Sequence, residues 1–312
     1  VSSSRPIRAI RPPRQGRQAH IGHWTSPEGH EEYLEAYRAT LAELPEPDRT
    51  LDVSTDFGIV RMYRFAGRSR ARPLVLLPGT RSGSPMFGGN VPSLLEQDDC
   101  YLVDLLGEPG LGQQTRPIGS DDDKAEWLDQ ALAELPEERF HLVGVSLGGW
   151  TAVNLAVRRP EHVASVTTLD AVNLFAPMPL GFLVRAIVTS LPGTPDSWRR
   201  RFNSSLAGGA DTGDLPVARM IEAGLKHFRM DQPPPRRFTQ EQLQSLKVPL
   251  HAVIAGRSRV HDPERSVRVA RAILPRGRVS FFPEASHAIN GEYPQEIAQI
   301  VGEFLDEVER RG

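Results

Sequence analysis

Short, predominantly apolar runs recur along this chain at residues 74–77, 101–106, 140–145, 163–169, 250–255 and 279–282, the first of them wholly apolar. Between most of them lie longer stretches with apolar residues at helical spacing, at 127–135, 147–159, 265–274 and 296–308. An uninterrupted apolar run is what a strand shows when both of its faces are buried, and strands of that kind alternating with helices imply a mostly parallel sheet with helices on both sides. Two further runs, 51–54 and 59–65, flank Asp56-Phe57-Gly58 and predict an antiparallel pair at the start of the sheet. Before them, Tyr33, Leu34, Tyr37 and Leu41 mark one face of a helix over 27–44, which Pro45 and Pro47 terminate. Together the runs predict an α/β fold with an eight-stranded sheet.

One segment breaks the alternation. Residues 172–246 contain no predicted strand, only helix-like pieces at 180–190 and 216–228 separated by Gly208-Gly209 and followed by Pro233-Pro234-Pro235. A structureless loop of that length is uncommon inside a domain, so the segment reads as an inserted helical cap. The expected organisation is then a tail at 1–18, a core formed by 19–171 and 247–312, and a cap at 172–246. Arg5, Arg8, Arg11, Arg14 and Arg17 recur in the tail among Pro, Ser and Gln, a composition that leaves little apolar surface to bury and suggests a solvated arm.

Composition narrows the classes of function. Lys+Arg number 37 against 39 Asp+Glu, so no overall charge calls for nucleic acid or an anionic membrane as partner. No run reaches the roughly 18 apolar residues of a membrane span. The single cysteine, Cys100, excludes an internal disulfide framework. With no apolar core of a secretory signal near Val1, the expected compartment is the cytoplasm. No histidine pair has metal-ligand spacing beside a cysteine or acidic cluster, so neither metal nor cofactor is expected. Gly110-Leu111-Gly112 lacks the remaining glycine and the helix of a dinucleotide fingerprint.

The clearest chemical signal is Gly144-Val145-Ser146-Leu147-Gly148, a G-x-S-x-G pattern with an apolar strand before it and a helix after it. That setting is the one a nucleophile elbow requires. The serine occupies a tight strand-to-helix turn, and the flanking glycines let neighbouring backbone approach. A helix N-cap serine is the plain structural alternative. Four blocks in order carry a resemblance to the α/β-hydrolase superfamily: Leu76-Leu77-Pro78-Gly79-Thr80, Asp104-Leu105-Leu106-Gly107 with Gly110 and Gly112, the elbow, and Glu284-Ala285-Ser286-His287. The chain looks most like bacterial carboxylesterases with a helical cap, on its Pro27-Glu28-Gly29 helix start, its Val103-Asp104-Leu105-Leu106-Gly107 turn and Pro249 before the late strand.

The resemblance implies that Ser146 is the nucleophile, that His287 is its base, and that the backbone N–H groups of Thr80 and Leu147 form an oxyanion hole. Pro78 departs from the histidine common in the family and removes a side chain that often braces this loop. Arg81, next to the loop, reads either as a solvated arginine or as a cation that attracts an anionic substrate group. The acid is the open position. The family usually places it about three residues after the glycine that closes the strand at 250–255, and here that slot holds Arg259. An arginine cannot accept a hydrogen bond from an imidazole N–H. Asp170, at the end of the strand at 163–169, and Asp262 are the substitutes. Asp262-Pro263-Glu264 also reads as a helix start. Asp170 is therefore the expected acid, with Asp262, or no acid at all, as alternatives.

The expected activity is hydrolysis of a carboxylic ester or thioester of a small hydrophobic substrate through an acyl-enzyme, the apolar stretch 176–191 with Phe175 and Phe182 favouring such a substrate. Rival readings are a biosynthetic thioesterase or cyclase, a lactone hydrolase, an amide hydrolase, and a non-catalytic binding protein on the same fold. Ser146 argues against a dehalogenase, which needs an acidic nucleophile.

Overall fold

In the computed structural model, which describes residues 20–70, 72–191, 193–274 and 277–311, the chain opens with a two-residue strand β1 (His23–Trp24) and helix α1 (Pro27–Leu41). Ser26 caps α1 by accepting the Gly29 N–H at 3.0 Å, with Pro27 at the first helical position. The helix stops three residues short of the expected end, and Leu44 closes a turn onto Leu41. The predicted hairpin follows as β2 (Arg49–Thr55) and β3 (Gly58–Phe65), paired with Thr55 opposite Gly58. Then come β4 (Leu74–Leu77), a 3₁₀ turn at Ser84–Phe87, α2 (Val91–Leu95), β5 (Cys100–Val103) and β6 (Gln113–Gln114). The strand expected to run to residue 106 ends at Val103. Its successor Asp104 is fully buried, and its carboxylate accepts the Ser84 and Leu111 N–H groups and the Tyr37 hydroxyl, which turns the chain out of the sheet.

Helix α3 (Asp121–Ala133) begins six residues before its apolar periodicity does. Its first turn is Asp121-Asp122-Asp123 under a Ser120 cap, stabilised by acid at the helix N-terminus and by capping, neither of which leaves an apolar signal. The elbow elements are β7 (Phe140–Val145) and α4 (Leu147–Arg158), followed by β8 (Val163–Leu169). Between β8 and the next sheet strand stand α5 (Leu180–Ser190), α6 (Asp196–Leu206), α7 (Pro216–His227), a short strand β9 (Phe228–Arg229) and α8 (Gln240–Gln244). The chain closes with β10 (Leu250–Ala255), α9 (Pro263–Ile273), β11 (Arg278–Phe282), α10 (Ile289–Glu292) and α11 (Pro294–Arg311).

Among the described residues the main sheet runs β11-β10-β8-β7-β4-β5-β3-β2, eight strands in line, with β6 added beside β3 as a ninth. The pairs from β11 to β5 are parallel, and those made by β3 are antiparallel. Strand β4 shows why its sequence carries no alternation: Val75 and Leu77 enter one apolar cluster, with Trp127 of α3 and Trp150 of α4, while Leu74 and Leu76 enter the other, with Tyr37 of α1 and Val301 of α11. One expectation needs correction. The segment 172–246 does contain a strand, because β9 pairs antiparallel with β1. Two residues are too few to show a period. The Arg-rich tail of 1–18 lies outside the described residues.

Candidate active site

The site is assembled by the register of three parallel strands. Val145 of β7 lies opposite Leu169 of β8, and Leu169 opposite Val253 of β10. Their C-terminal ends are therefore level, so Ser146, Asp170 and the loop after β10 emerge side by side. The C-terminal edge of a parallel sheet is where such folds place their ligands. Hydrogen bonds from Ser146 N–H to Leu169 O (3.0 Å) and from Asp170 N–H to Val253 O (2.9 Å) lock the two residues to adjacent strands.

Ser146 has φ 53° and ψ −112°, a costly conformation for a residue with a Cβ. The turn closes only because Gly144 and Gly148 lack side chains: a Cβ on the first would overlap the Gly148 carbonyl, and one on the second the Leu77 carbonyl. The Ser146 side chain makes no capping bond to α4, so the N-cap alternative does not describe it. Its Oγ faces His287 instead, 3.0 Å from Nε2. His287 stands in the loop after β11, its Nδ1 2.6 Å from Asp170 Oδ2. An ionised carboxylate only accepts, so Nδ1 carries the proton and Nε2 turns its lone pair to the serine hydroxyl. The loop is pinned by Glu292, which accepts both the Ser286 N–H (2.7 Å) and the Ser286 hydroxyl (2.5 Å).

Asp170 is fully buried, and its φ of 47° is again left-handed. Four donors converge on it. Oδ1 accepts the Ala255 N–H at 3.0 Å and His261 Nε2–H at 2.9 Å; Oδ2 accepts the Ser258 hydroxyl and His287 Nδ1–H, both at 2.6 Å. Burial alone would raise its pKa. The hydrogen bonds from His261 and His287 outweigh that and hold it well below the usual carboxylate range. Asp262 is elsewhere: it is exposed and caps α9 by accepting the Arg265 N–H at 3.0 Å. Arg259, in the slot where an acid was sought, is exposed too.

The loop after β4 supplies the other side of the site. Gly79 packs against Ser146, a Cβ there falling 3.7 Å from that of the serine. Leu147 opens α4, so its N–H has no partner within the helix. Neither it nor the Thr80 N–H meets an acceptor among the described residues. The bracing lost with Pro78 comes from elsewhere. Buried Glu108 accepts the Thr80 hydroxyl (3.0 Å) and the Arg81 N–H (2.9 Å), and the Ser82 hydroxyl donates to Gly79 O (2.7 Å). Burial pushes the Glu108 carboxyl up, against the nearby Arg81 charge. Arg81 is neither solvated nor a cation at the mouth. It is buried at φ 67°, and its guanidinium donates to Gly224 O (3.3 Å) in the last turn of α7 and to Phe228 O (2.7 Å) just beyond its end.

The apolar stretch of α5 divides. Phe182 turns inward and packs on the sheet cluster and on Phe202 of α6, ring centroids 5.7 Å apart, whereas Leu180, Val184 and Ile187 are exposed on the opposite side. Sequence reasoning missed His261, Ser258 and Glu108. The first two had a positional signal, since both lie in the loop where the resemblance puts the acid. Among the described residues no group of side chains is set to hold a metal, and no helix is long and apolar enough to cross a membrane.

The comparisons agree with this architecture. A family model described as "alpha/beta hydrolase fold" matches residues 72–208. The chain is 26% identical over 285 residues to a Bacillus subtilis protein named uncharacterized carboxylesterase nap, covering 88% of this chain and 92% of that one. It is also 26% identical to carboxylesterase YbfK of the same organism, over 88% and 93% of the two chains. The crystal structure of naproxen esterase (carboxylesterase NP) from Bacillus subtilis superposes with a TM-score of 0.82 at 24% identity, over 90% of this chain and 99% of that one. With its parallel sheet, its strand-turn-helix serine and these similarities, the chain has the α/β-hydrolase fold.

Proposed function

We propose that the protein is a carboxylesterase that cleaves a small hydrophobic ester through an acyl-enzyme, with Ser146 as nucleophile, His287 as base and Asp170 as acid. The observation that carries this reading is the unbroken line from Ser146 Oγ to His287 Nε2 (3.0 Å) and from His287 Nδ1 to Asp170 Oδ2 (2.6 Å). His287 takes the serine proton as Oγ attacks the ester carbonyl. Asp170 stabilises the imidazolium and fixes the tautomer. The Leu147 and Thr80 N–H groups hold the oxyanion, and the proton then passes to the leaving alkoxide. A water activated by His287 releases the acid and frees Ser146.

Residues 172–246 act as the cap in this reading. Leu147, Met178, Phe182 and Leu206 are partly buried against the sheet cluster, and in this reading they supply apolar surface for the substrate. The names of the two similar Bacillus proteins, both carboxylesterases, support a carboxylic ester as the substrate class. Arg259 in the usual acid slot favours a non-catalytic binding protein; the bond between His287 and Asp170 supports the catalytic reading. The lone, buried thiol of Cys100 suits the cytoplasm, where disulfides are rare. The test is turnover of p-nitrophenyl esters of increasing acyl length. We expect activity that Ser146→Ala abolishes and a preference that follows chain length. Equal turnover by Ser146→Ala and the unmodified protein contradicts the reading.

A further inference from the structure

Asp170 carries more donors than a single base requires. Besides His287 it binds a second imidazole, His261, and the hydroxyl of Ser258, and all of these side chains except His287 are buried. His261 is itself held from behind, its Nδ1 3.1 Å from the hydroxyl of buried Ser266. With Nε2–H given to the carboxylate, Nδ1 accepts from that hydroxyl when His261 is neutral and donates to it when His261 is charged. The partners therefore satisfy either state. The charged and titratable groups acting on His261 are Asp170, at the end of β8, and Asp262, its neighbour in the chain; His287 sits on the other oxygen of the same carboxylate.

We propose that His261 is a positioning residue of the catalytic site, holding Asp170 so that Oδ2 faces His287, with Ser258 as its companion donor. The proposal rests on the serine-hydrolase reading above. In this arrangement the loop after β10, where the resemblance puts the acid, supplies the acid's donors instead. The geometry explains why an ordinary buried histidine is an insufficient description. Asp170 has two oxygens and a left-handed backbone at the open edge of the sheet. His261 and the Ala255 N–H anchor Oδ1 from one side, which leaves Oδ2 as the only oxygen presented to His287. Without that anchor the carboxylate can rotate, and the imidazole tautomer is no longer fixed. Burial opposes a charge on His261, but its bond to Asp170 outweighs this and raises its pKa, so its proton is shared with the same acid that supports the base.

The experiment compares His261→Phe, which removes the donor, with His261→Gln, which keeps an uncharged N–H donor. Hydrogen bonds to charged groups of this kind are worth about 10- to 100-fold in rate when lost. We expect His261→Phe to lower kcat by about that factor with KM nearly unchanged, and His261→Gln to recover most of it. Both variants should move the acid limb of the kcat/KM–pH profile to higher pH, because Asp170 then shares its charge with one imidazole and not two. A purely structural histidine would leave the limb where it is. Ser258→Ala, which deletes one hydroxyl, gives the same reading through kcat should His261→Phe fail to fold. Unchanged kcat and an unmoved acid limb overturn the inference, as does an equal loss in Gln and Phe with an unmoved limb. Ser146→Ala, run alongside, separates the failures. Turnover by Ser146→Ala overturns the serine-hydrolase reading and this inference with it, whereas an inactive Ser146→Ala beside a fully active His261→Phe overturns the inference alone.

Discussion

The C-terminal edge of the sheet and the helical segment between β8 and β10 are built on different principles. At the edge, interstrand register fixes the backbone of Ser146 and Asp170, and buried side chains do the rest. Ser146, Asp170 and Arg81 all take left-handed backbone angles there, strain that a surrounding rigid sheet can sustain. The helical segment is fastened differently, by side chains reaching single carbonyls. From the core, Lys124 Nζ donates to Pro233 O (2.6 Å), Trp150 Nε1–H to Arg236 O (2.8 Å) and Arg81 to Phe228 O (2.7 Å); within the segment, Asn173 Nδ2–H donates to Pro235 O (2.9 Å). It also leaves Leu180 76% exposed. The difference fits the proposed division of tasks, with geometry for chemistry in the sheet and shape for the substrate in the helices.

That division is breakable. The largest effect is expected at the edge: Asp170→Asn should lower turnover by roughly 10²–10⁴-fold with the fold retained, measured as kcat on a p-nitrophenyl ester. Asp262→Asn should change it less than about twofold, since asparagine also caps a helix. The opposite ranking would place the acid in the late loop. Next comes the loop after β4. Glu108→Gln keeps the volume but weakens the hold on Thr80 and Arg81, and should cost about 10-fold in kcat, because small displacements near reacting groups are expensive. A loss in KM alone would move Glu108 out of the oxyanion-hole support. In the helical segment, Phe182→Ala should act mainly on KM, and more for long acyl chains than for acetate; equal effects across the series would make Phe182 packing only.

The smallest expected effect is on stability. His261 has its pKa raised by folding, so its contribution is fully present below its unfolded value of about 6.5 and fades as pH rises through the higher folded value. Asp170, held low, stays ionised throughout that window. The melting-temperature gap between the unmodified protein and His261→Phe should therefore narrow on going from mildly acid to mildly alkaline pH. A gap that widens would mean that His261 is neutral at both ends.

The same contrast decides what can be read from sequence. The elbow is legible because its constraint is local: two glycines and a serine within five residues, between a strand and a helix. His287 is legible from its place after the last predicted strand, whereas Asp170, at the end of the run 163–169, could not be told from Asp262 by sequence alone. The donors of Asp170 are not legible. Ser258 and His261 lie 88 and 91 residues from it, and nothing within a window of sequence ties them together. Glu108 is hidden in the same way, in a glycine-rich turn that reads as punctuation. Helix α6 escaped because Asp196–Leu206 is mostly polar, with Trp198, Phe202 and Leu206 its only large apolar residues. The burial of Arg81 is hidden because its acceptors are backbone carbonyls, Gly224 O in α7 and Phe228 O just after it, which no side-chain pattern reports.

The central claim is that Ser146 is a nucleophile made reactive by His287 and Asp170. Its most direct test is covalent labelling by a fluorophosphonate, with the modified peptide located by mass spectrometry. The account predicts a single adduct on Ser146, absent in Ser146→Ala and slowed by orders of magnitude in Asp170→Asn. Labelling of Ser146→Ala at the rate of the unmodified protein, or no labelling of Ser146 in an active preparation, would contradict it.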